Sequence, residues 1–185
     1  VLGYPESYYT PPAEAIKEIQ IVRGAASLQY GTQFGGLINF VLKEPPNKKI
    51  DAVIRNTIGS NNQYTNFTSL GGKKNKFSFY TFYNHKRGDG FRNNSNYKSN
   101  NIYVHLKQNL SNKTELSGEV TYMNYLAKQA GGLSDRMFIN NPMQSNRSRN
   151  WFELDWLLYN FKFKHRFNEK TNLSFNFFGL DAERN

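Results

Sequence analysis

A transmembrane β-barrel wall is the architecture that this 185-residue sequence predicts, and three observations lead to it. The chain is very polar, with a mean hydropathy of −0.72, yet 16% of its residues are aromatic, whereas disordered chains are poor in aromatics. Its second part divides into segments in which apolar and polar residues alternate, as they do where one face meets lipid and the other a wet lumen. The connections between these segments are alternately short and long, as in outer-membrane barrels.

Composition excludes several classes of protein. No stretch approaches the roughly 20 apolar residues that a membrane helix needs. The chain has no cysteine, so it can hold neither a disulfide framework nor a thiolate metal site. The formal net charge of +10 is typical of nucleic-acid or anionic-surface binding, but many lysines lie in short turns where they only solvate the chain, and we expect no nucleic-acid partner. Because the chain begins without a secretion signal, we interpret it as a fragment.

The texture of the sequence changes near residue 46. Residues 1–46 are punctuated by glycine and proline with little alternation, and "EPPNKK" reads as a linker because paired prolines disfavour both helix and central strand. Residues 47–185 are a series of strand-like segments bounded by Gly, Asn, Ser and Lys clusters. We therefore predict two parts, 1–46 and 47–185.

Seven strands are predicted in the second part. A soluble sandwich would also alternate, but its polar face would not usually oppose so many large aromatic residues. The predicted strands cover residues 50–59, 63–72, 76–86, 100–110, 114–126, 156–167 and 171–184. In the three with the clearest alternation, one face should hold Ile102, Val104, Leu106, Tyr159, Phe161, Phe163, Phe167, Leu173, Phe175 and Phe177. The opposite face should hold Asn101, Tyr103, His105, Lys107, Asn160, Lys162, Lys164, Arg166, Ser174 and Asn176.

Connection lengths predict which end of each strand faces outward. The connections "GGKKNK", "SNKT" and "NEK" are tight, whereas residues 87–100 and 127–150 form long ones. If the tight turns are periplasmic, the long connections and residues 59–63 lie outside the cell. The seventh strand then runs outward and ends at Arg184.

A glycine-rich segment precedes the strands and carries a family resemblance. The stretch "IVRGAASLQYGTQFGGLINFVLK", residues 21–43, has no His, Cys or carboxylate. It resembles the C-terminal part of the plug domain of TonB-dependent outer-membrane receptors, through the patterns R-G-x-x-S-x-x-Y-G and G-G-x-I-N-x-x-x-K. The matching residues are Ile19, Val22, Arg23, Gly24, Ser27, Tyr30, Gly31, Gly35, Gly36, Ile38, Asn39 and Lys43.

The resemblance implies an architecture and a structural role for these residues. The complete protein would be an all-β barrel of about 22 strands with an N-terminal α+β plug, and this chain would hold the end of the plug and the first strands. The glycines would allow positive φ and close backbone approach inside a barrel, and Arg23 would bond carboxylates near the lumen wall.

Within that superfamily the chain looks most like the ferric dicitrate receptors, through "GTQFGGLINFVLKEP", "AGGLSD" and "QSNRSRNWF". This resemblance implies active uptake of a ferric chelate of citrate type across the outer membrane of a Gram-negative bacterium. The ferric chelate would be the transported ligand rather than a cofactor, and the protein would not be an enzyme. The implied partners are the TonB–ExbB–ExbD energy-coupling complex, outer-membrane lipids and lipopolysaccharide.

Arginines near the predicted outer ends of the strands are the candidate ligand-binding residues, because a guanidinium binds carboxylates bidentately. Arg184 is an even number of residues from Ser174 and Asn176, so it should lie on the same face of the strand and point into the lumen. The resemblance implies the same role, because the family binds its ligand through an arginine at the corresponding position. Arg147 and Arg149 follow, with pairing to lipopolysaccharide phosphates or loop carboxylates as the other interpretation. The remaining candidates are Arg92 in a long connection and Tyr8 at the plug apex, where Pro5 and Tyr9 would help to shape the floor beneath the ligand. Arg87 and Arg136 are also placed in the long connections.

Signals of enzymatic chemistry are absent. His85, His105 and His165 have no motif spacing, and Asp51 and Glu119 occur singly, so no catalytic carboxylate pair can be placed. Two other functions stay open at this point. One is a passive porin, against which the plug pattern argues. The other is an adhesin or a glycan importer that works with a surface lipoprotein. The glycan reading rests on aromatic residues near the long connections, namely Phe91, Tyr97, Phe138, Trp151 and Phe152.

Overall fold

The computed structural model of the chain describes residues 10–23 and 36–184. Its contacts divide the chain into two compact units, Val1–Glu44 and Pro45–Asn185. The boundary falls inside the linker "EPPNKK". That the first unit is the end of a plug and the second the start of a barrel stays a prediction.

The first unit contains a two-stranded antiparallel sheet preceded by one turn of 3-10 helix, Ala13–Ala15. Strand β1 is Ile16–Val22 and strand β2 is Leu37–Leu42. Opposite each other in the register, Gln20 and Asn39 also share a side-chain hydrogen bond in which the Asn39 amide donates to Gln20 Oε1 over 2.9 Å. The polar Asn39 is therefore tied to the neighbouring strand.

Gly36, immediately before β2, occupies a position that only glycine fits. Its φ is +98°, and a Cβ built there would lie 2.5 Å from the carbonyl oxygen of Val22. The left-handed conformation and the close backbone approach both favour a residue without a side chain.

The second unit is a seven-stranded antiparallel sheet in which each strand pairs with the next along the chain. Each of the seven predicted segments contains one strand, so the all-β prediction is confirmed for this part. Within the described residues the first and last strands do not pair, and the sheet is open. The strands are β3 (Asp51–Ile58), β4 (Tyr64–Lys74), β5 (Phe77–Gly88), β6 (Tyr97–Asn109), β7 (Thr114–Lys128), β8 (Trp151–Arg166) and β9 (Asn172–Arg184).

The predicted boundaries are wrong at several places; β6, for example, begins at Tyr97, three residues before its predicted start. The sequence suggests that a turn begins at Gly71, but β4 continues to Lys74 and leaves a two-residue turn at 75–76. A Cβ on Gly71 would lie 2.7 Å from Cδ of Pro46, and one on Gly72 would collide with the backbone of Lys49. These glycines make room for the linker rather than form a turn.

Strand β8 begins at Trp151, five residues before the predicted start. The stretch "WFELDW" alternates as a strand should, and its Phe152, Leu154 and Trp156 are buried. Trp151 and Phe152, which the sequence places near a long connection, therefore belong to the sheet.

Connection lengths at the two ends of the sheet differ as predicted. One end, the short-turn end, has residues 75–76, 110–113 and 167–171; the other, the long-loop end, has residues 59–63, 89–96 and 129–150. We call residues 89–96 loop 2 and residues 129–150 loop 3. Loop 3 contains helix α1 (Asp135–Asn140), and among the described residues no helix is long and apolar enough to cross a membrane.

Candidate functional site

The two faces of the seven-stranded sheet differ in chemistry, and the predicted alternation is confirmed in β6, β8 and β9. In β6, Asn101, Tyr103 and His105 are buried, whereas Ile102 and Leu106 are exposed. The strand register carries this division across the sheet, because residues opposite each other in neighbouring strands share a face. We call the face with Tyr103 the buried face and the face with Ile102 the exposed face.

The exposed face carries a contiguous apolar band. Leu106, Gly118, Phe161 and Phe177 stand opposite one another along one row of the register, and neighbouring rows are similar. Soluble monomers rarely leave a patch of this kind open to water, so the band indicates a nonaqueous or protein neighbour. Eight of its members have 37% to 56% of their surface exposed: Leu70, Ile102, Leu106, Val120, Leu157, Phe161, Phe175 and Phe177.

The buried face combines aromatic rings with small polar side chains. The ring of Phe82 lies 5.6 Å from that of Phe67 and 5.3 Å from that of Tyr103, and Tyr80 meets Tyr103 edge-on at 6.3 Å. Aromatic pairs at these separations add to the energy of burial. Interspersed among them are the buried polar residues Ser69, Ser78, Asn84, Asn101, Ser117 and Thr121.

Toward the short-turn end, the buried face carries an ionic network that the sequence analysis missed. Lys107 Nζ lies 2.9 Å and Lys164 Nζ 3.6 Å from the Glu115 carboxylate. Four residues further along β7, Glu119 lies 3.7 Å from Lys162 Nζ and accepts a hydrogen bond from the Tyr103 hydroxyl over 3.2 Å. The expectation that Glu119 stands alone is wrong, because positions 115 and 119 of one strand have the same parity and face the same way.

Arg184 lies on the buried face at the long-loop end, on the same side as Ser174 and Asn176. Its guanidinium carbon is 4.9 Å from the centroid of the Phe152 ring, a cation–π geometry. Phe152 is buried and contacts Tyr125, so the arginine rests on a fixed aromatic surface. The parity prediction for its direction agrees with this placement, while its role toward a ligand stays a prediction.

Arg92 joins the two longest loops. Its guanidinium donates from Nε and Nη2 to the carbonyl oxygen of Gln144 over 3.1 and 2.9 Å, and from Nη1 to that of Gly131 over 2.9 Å. The side-chain amide of the neighbouring Asn94 donates to the carbonyls of Gln129 and Arg147. Loop 2 is thus hydrogen-bonded into loop 3, which fixes the backbone of a candidate ligand residue.

The other arginines that the sequence places in the long connections differ in their surroundings. Arg147 and Arg149 are exposed in loop 3, and Arg136 is exposed in α1. The placement of Arg87 in a long connection is wrong, since it is the penultimate residue of β5 and lies on the exposed face, away from Arg184. The structure therefore brings Arg92 and Arg147 into one loop cluster and separates Arg87 from it.

The three histidines are strand residues with ordinary partners. His85 Nδ1 lies 2.8 Å from Asn100 Oδ1, and His165 Nδ1 lies 2.9 Å from the Thr114 hydroxyl. His105 is buried, with Nε2 4.0 Å from the Glu119 carboxylate. In the part of the chain that the structure describes, no group of three His, Asp or Glu side chains could hold a metal ion.

Several predicted residues lie outside the described part of the chain. They are Pro5, Tyr8 and Tyr9 of the expected apex and Gly24, Ser27, Tyr30, Gly31 and Gly35 of the glycine-rich pattern. Their predicted roles stay predictions, as does that of Arg23, which ends the first described range.

Comparison with known proteins gives a match at the level of the fold. No protein-family model matches the sequence, and neither does a curated protein. The chain is similar to the solved structure described as the ferric citrate transporter FecA in the unliganded form, with a TM-score of 0.82 and 23% sequence identity. The similarity covers 98% of this chain and 29% of that chain, so the fold seen here corresponds to a segment of a much longer protein. The matched protein is a transporter, not an enzyme.

Proposed function

We propose that this chain is part of a TonB-dependent outer-membrane receptor of the ferric dicitrate class, which takes up a ferric chelate of citrate type. Residues 1–46 would be the end of its plug, and residues 47–185 would be the first seven strands of a barrel of about 22 strands. The location would be the outer membrane of a Gram-negative bacterium.

The observation that carries the proposal is the two-faced antiparallel sheet. An apolar band on one face and polar and charged groups on the other are what a barrel wall needs between lipid and lumen. Within the residues that the structure describes, the outer edges of β3 and β9 have no neighbouring strand, and a membrane tolerates such edges only when further strands close the barrel. The fold similarity to FecA supports the same reading.

Capture of the chelate would need binding but no covalent chemistry. The guanidinium groups of Arg147, Arg149 and Arg184 would attract the anionic complex and bond its carboxylates, with Tyr8 in the floor beneath it. Arg92 would lie in the same cluster, but its guanidinium already donates hydrogen bonds to loop carbonyls. Loops would then close over the ligand. The TonB–ExbB–ExbD complex would remodel the plug to open a path.

A glycan importer with a surface lipoprotein is less well supported. Sugar stacking needs exposed aromatic faces near the loops, but Phe152 is buried beneath Arg184. The ring of Tyr97 lies against Gly88, where a Cβ would meet it at 2.9 Å. Two of the five aromatic residues behind that reading are thus already in contact with protein groups.

Calorimetric titration of the full-length protein in detergent with ferric dicitrate tests the proposal. We expect binding that weakens with salt, because it depends on charged contacts. Arg184→Ala should weaken it by about 10- to 150-fold, since a hydrogen bond to a charged group contributes roughly 1.5–3 kcal/mol. Arg136→Ala, which removes an exposed arginine of α1, is the matched control. Absence of heat with ferric dicitrate would overturn the substrate, and equal weakening by both variants would overturn the role of Arg184.

A further inference from the structure

A small cleft lies on the exposed face of the sheet, near the long-loop end, and the proposed uptake does not use it. Its volume is about 290 Å³. Six residues from β4, β5 and β6 line it: Tyr64, Asn66, Tyr83, His85, Lys98 and Asn100.

The cleft begins where the apolar band ends. Along β6 the residues on this face run from Val104 and Ile102 through Asn100 to Lys98. The four residue steps from Ile102 to Lys98 span about 13 Å at the usual rise of a strand. A molecule lying along the band with its apolar part would therefore reach the cleft with its other end.

Hydrogen bonds hold the walls of the cleft in place. The carboxamide oxygen of Asn100 receives the Tyr83 hydroxyl over 2.9 Å and lies 2.8 Å from His85 Nδ1. Because a carboxamide oxygen only accepts hydrogen bonds, His85 donates to it from Nδ1. The hydroxyl of Tyr64 is likewise bound, to Asn56 Oδ1 over 3.0 Å.

Two adjacent cations stand at the cleft: Lys98 lines it, and Arg87 lies just beyond it, beside Tyr64. Arg87 and Lys98 stand opposite each other in the register, and the Arg87 guanidinium lies 5.6 Å from the centroid of the Tyr64 ring. Among the described residues no ion pair joins either one to a carboxylate. Of the nearby acids, Asp89 accepts from Asn62, and Asp155, one row away in the register, accepts from Tyr122 and Asn124. Glu153 lies in the same row as Lys98, but Leu126 of β7 stands between them.

We propose that this cleft binds the phosphate headgroup of an anionic outer-leaflet glycolipid whose acyl chains cover the apolar band. The inference rests on the proposed function, because only a membrane-embedded sheet would meet such a lipid on this face. A planar guanidinium and a mobile ammonium side by side suit the several oxygens of a phosphate. Continuity with the apolar band favours a lipid headgroup over free phosphate.

Native mass spectrometry of the full-length protein in detergent tests the inference, with bis-phosphorylated lipid A as the probe. The test variant is R87Q/K98Q, and the matched control is K74Q/K170Q, which removes two exposed lysines at the short-turn end. Each basic residue near an anionic membrane surface strengthens binding about five- to sixfold, so the test variant should hold lipid A about 30-fold more weakly. Dephosphorylated lipid A and inorganic phosphate show whether the phosphate and the acyl chains are both needed.

The outcomes separate this inference from the proposed function. Loss of lipid A binding in R87Q/K98Q alone, with little competition by inorganic phosphate, would support the cleft. Equal retention in both variants, or full competition by inorganic phosphate, would overturn it. Fractionation of the cells is the independent readout, because a protein absent from the outer membrane would contradict the proposed function itself. Ferric dicitrate binding by R87Q/K98Q should be unchanged.

Discussion

The guanidinium of Arg92 should control the stability of loop 3. It makes three short hydrogen bonds, two to Gln144 and one to Gly131, and a longer one of 3.5 Å to Ala130. A charged hydrogen bond contributes roughly 1.5–3 kcal/mol when intact. Two of the short bonds share one acceptor and the arginine is only partly buried, so we expect Arg92→Ala to lower the free energy of opening loop 3 by about 2–4 kcal/mol.

Hydrogen exchange in the full-length protein measures that opening directly. A change of about 2–4 kcal/mol corresponds to exchange in residues 129–150 that is roughly 30- to 1,000-fold faster. Residues 114–128 of β7 should keep their protection, since their partners are the neighbouring strands. Arg92→Lys should lie between, because an ammonium lacks the planar fork that reaches several carbonyls at once.

Arg136→Ala provides the control, because Arg136 belongs to the same loop but is exposed on α1. It should leave exchange in loop 3 nearly unchanged. Equal acceleration by the two alanine variants would refute the argument that loop 2 holds loop 3 in place.

Three further substitutions test the fold and its faces. Gly36→Ala should destabilise the protein by about 1–3 kcal/mol in denaturant unfolding because of its positive φ, whereas Gly132→Ala, with no atom near its Cβ, should change it little. Phe175→Arg should lower the yield of folded protein in membranes, at a cost of about 2–4 kcal/mol if it lies near the bilayer midplane, whereas Asn176→Arg on the opposite face should be tolerated. Glu115→Gln should cost about 1–2 kcal/mol by leaving two lysines without their carboxylate, and Glu115→Asp should recover part of that loss in the same unfolding measurement.

The strands of this protein are readable from sequence because their signal is local. In a strand that separates two environments, polar and apolar residues alternate every two positions. Each of the seven segments can therefore be recognised without knowledge of the strands beside it. The signal fails where a residue serves something distant. Gly71 and Gly72 look like a turn, and only the position of Pro46 and Lys49 explains their presence inside β4.

Charged networks are harder to predict because they depend on register. Glu115 and Glu119 meet lysines of two neighbouring strands, one before and one after β7 in the chain. Their equal parity was visible in the sequence and could have predicted a shared face. Which lysine stands opposite each glutamate follows only once the turns set the register.

The arginines at the long-loop end show why a count of charges does not locate a binding site. Arg87 lies over a tyrosine ring on the exposed face, and Arg184 lies over the Phe152 ring on the buried face. Arg92 donates its hydrogen bonds to loop carbonyls. These side chains have the same charge, but an anion approaching the loops would meet each in a different state of solvation and with different donors still available. The loop backbone that Arg92 and Asn94 hold in place presents Arg147 to the solvent. Anion capture at this end should therefore depend on that backbone as much as on the guanidinium groups themselves.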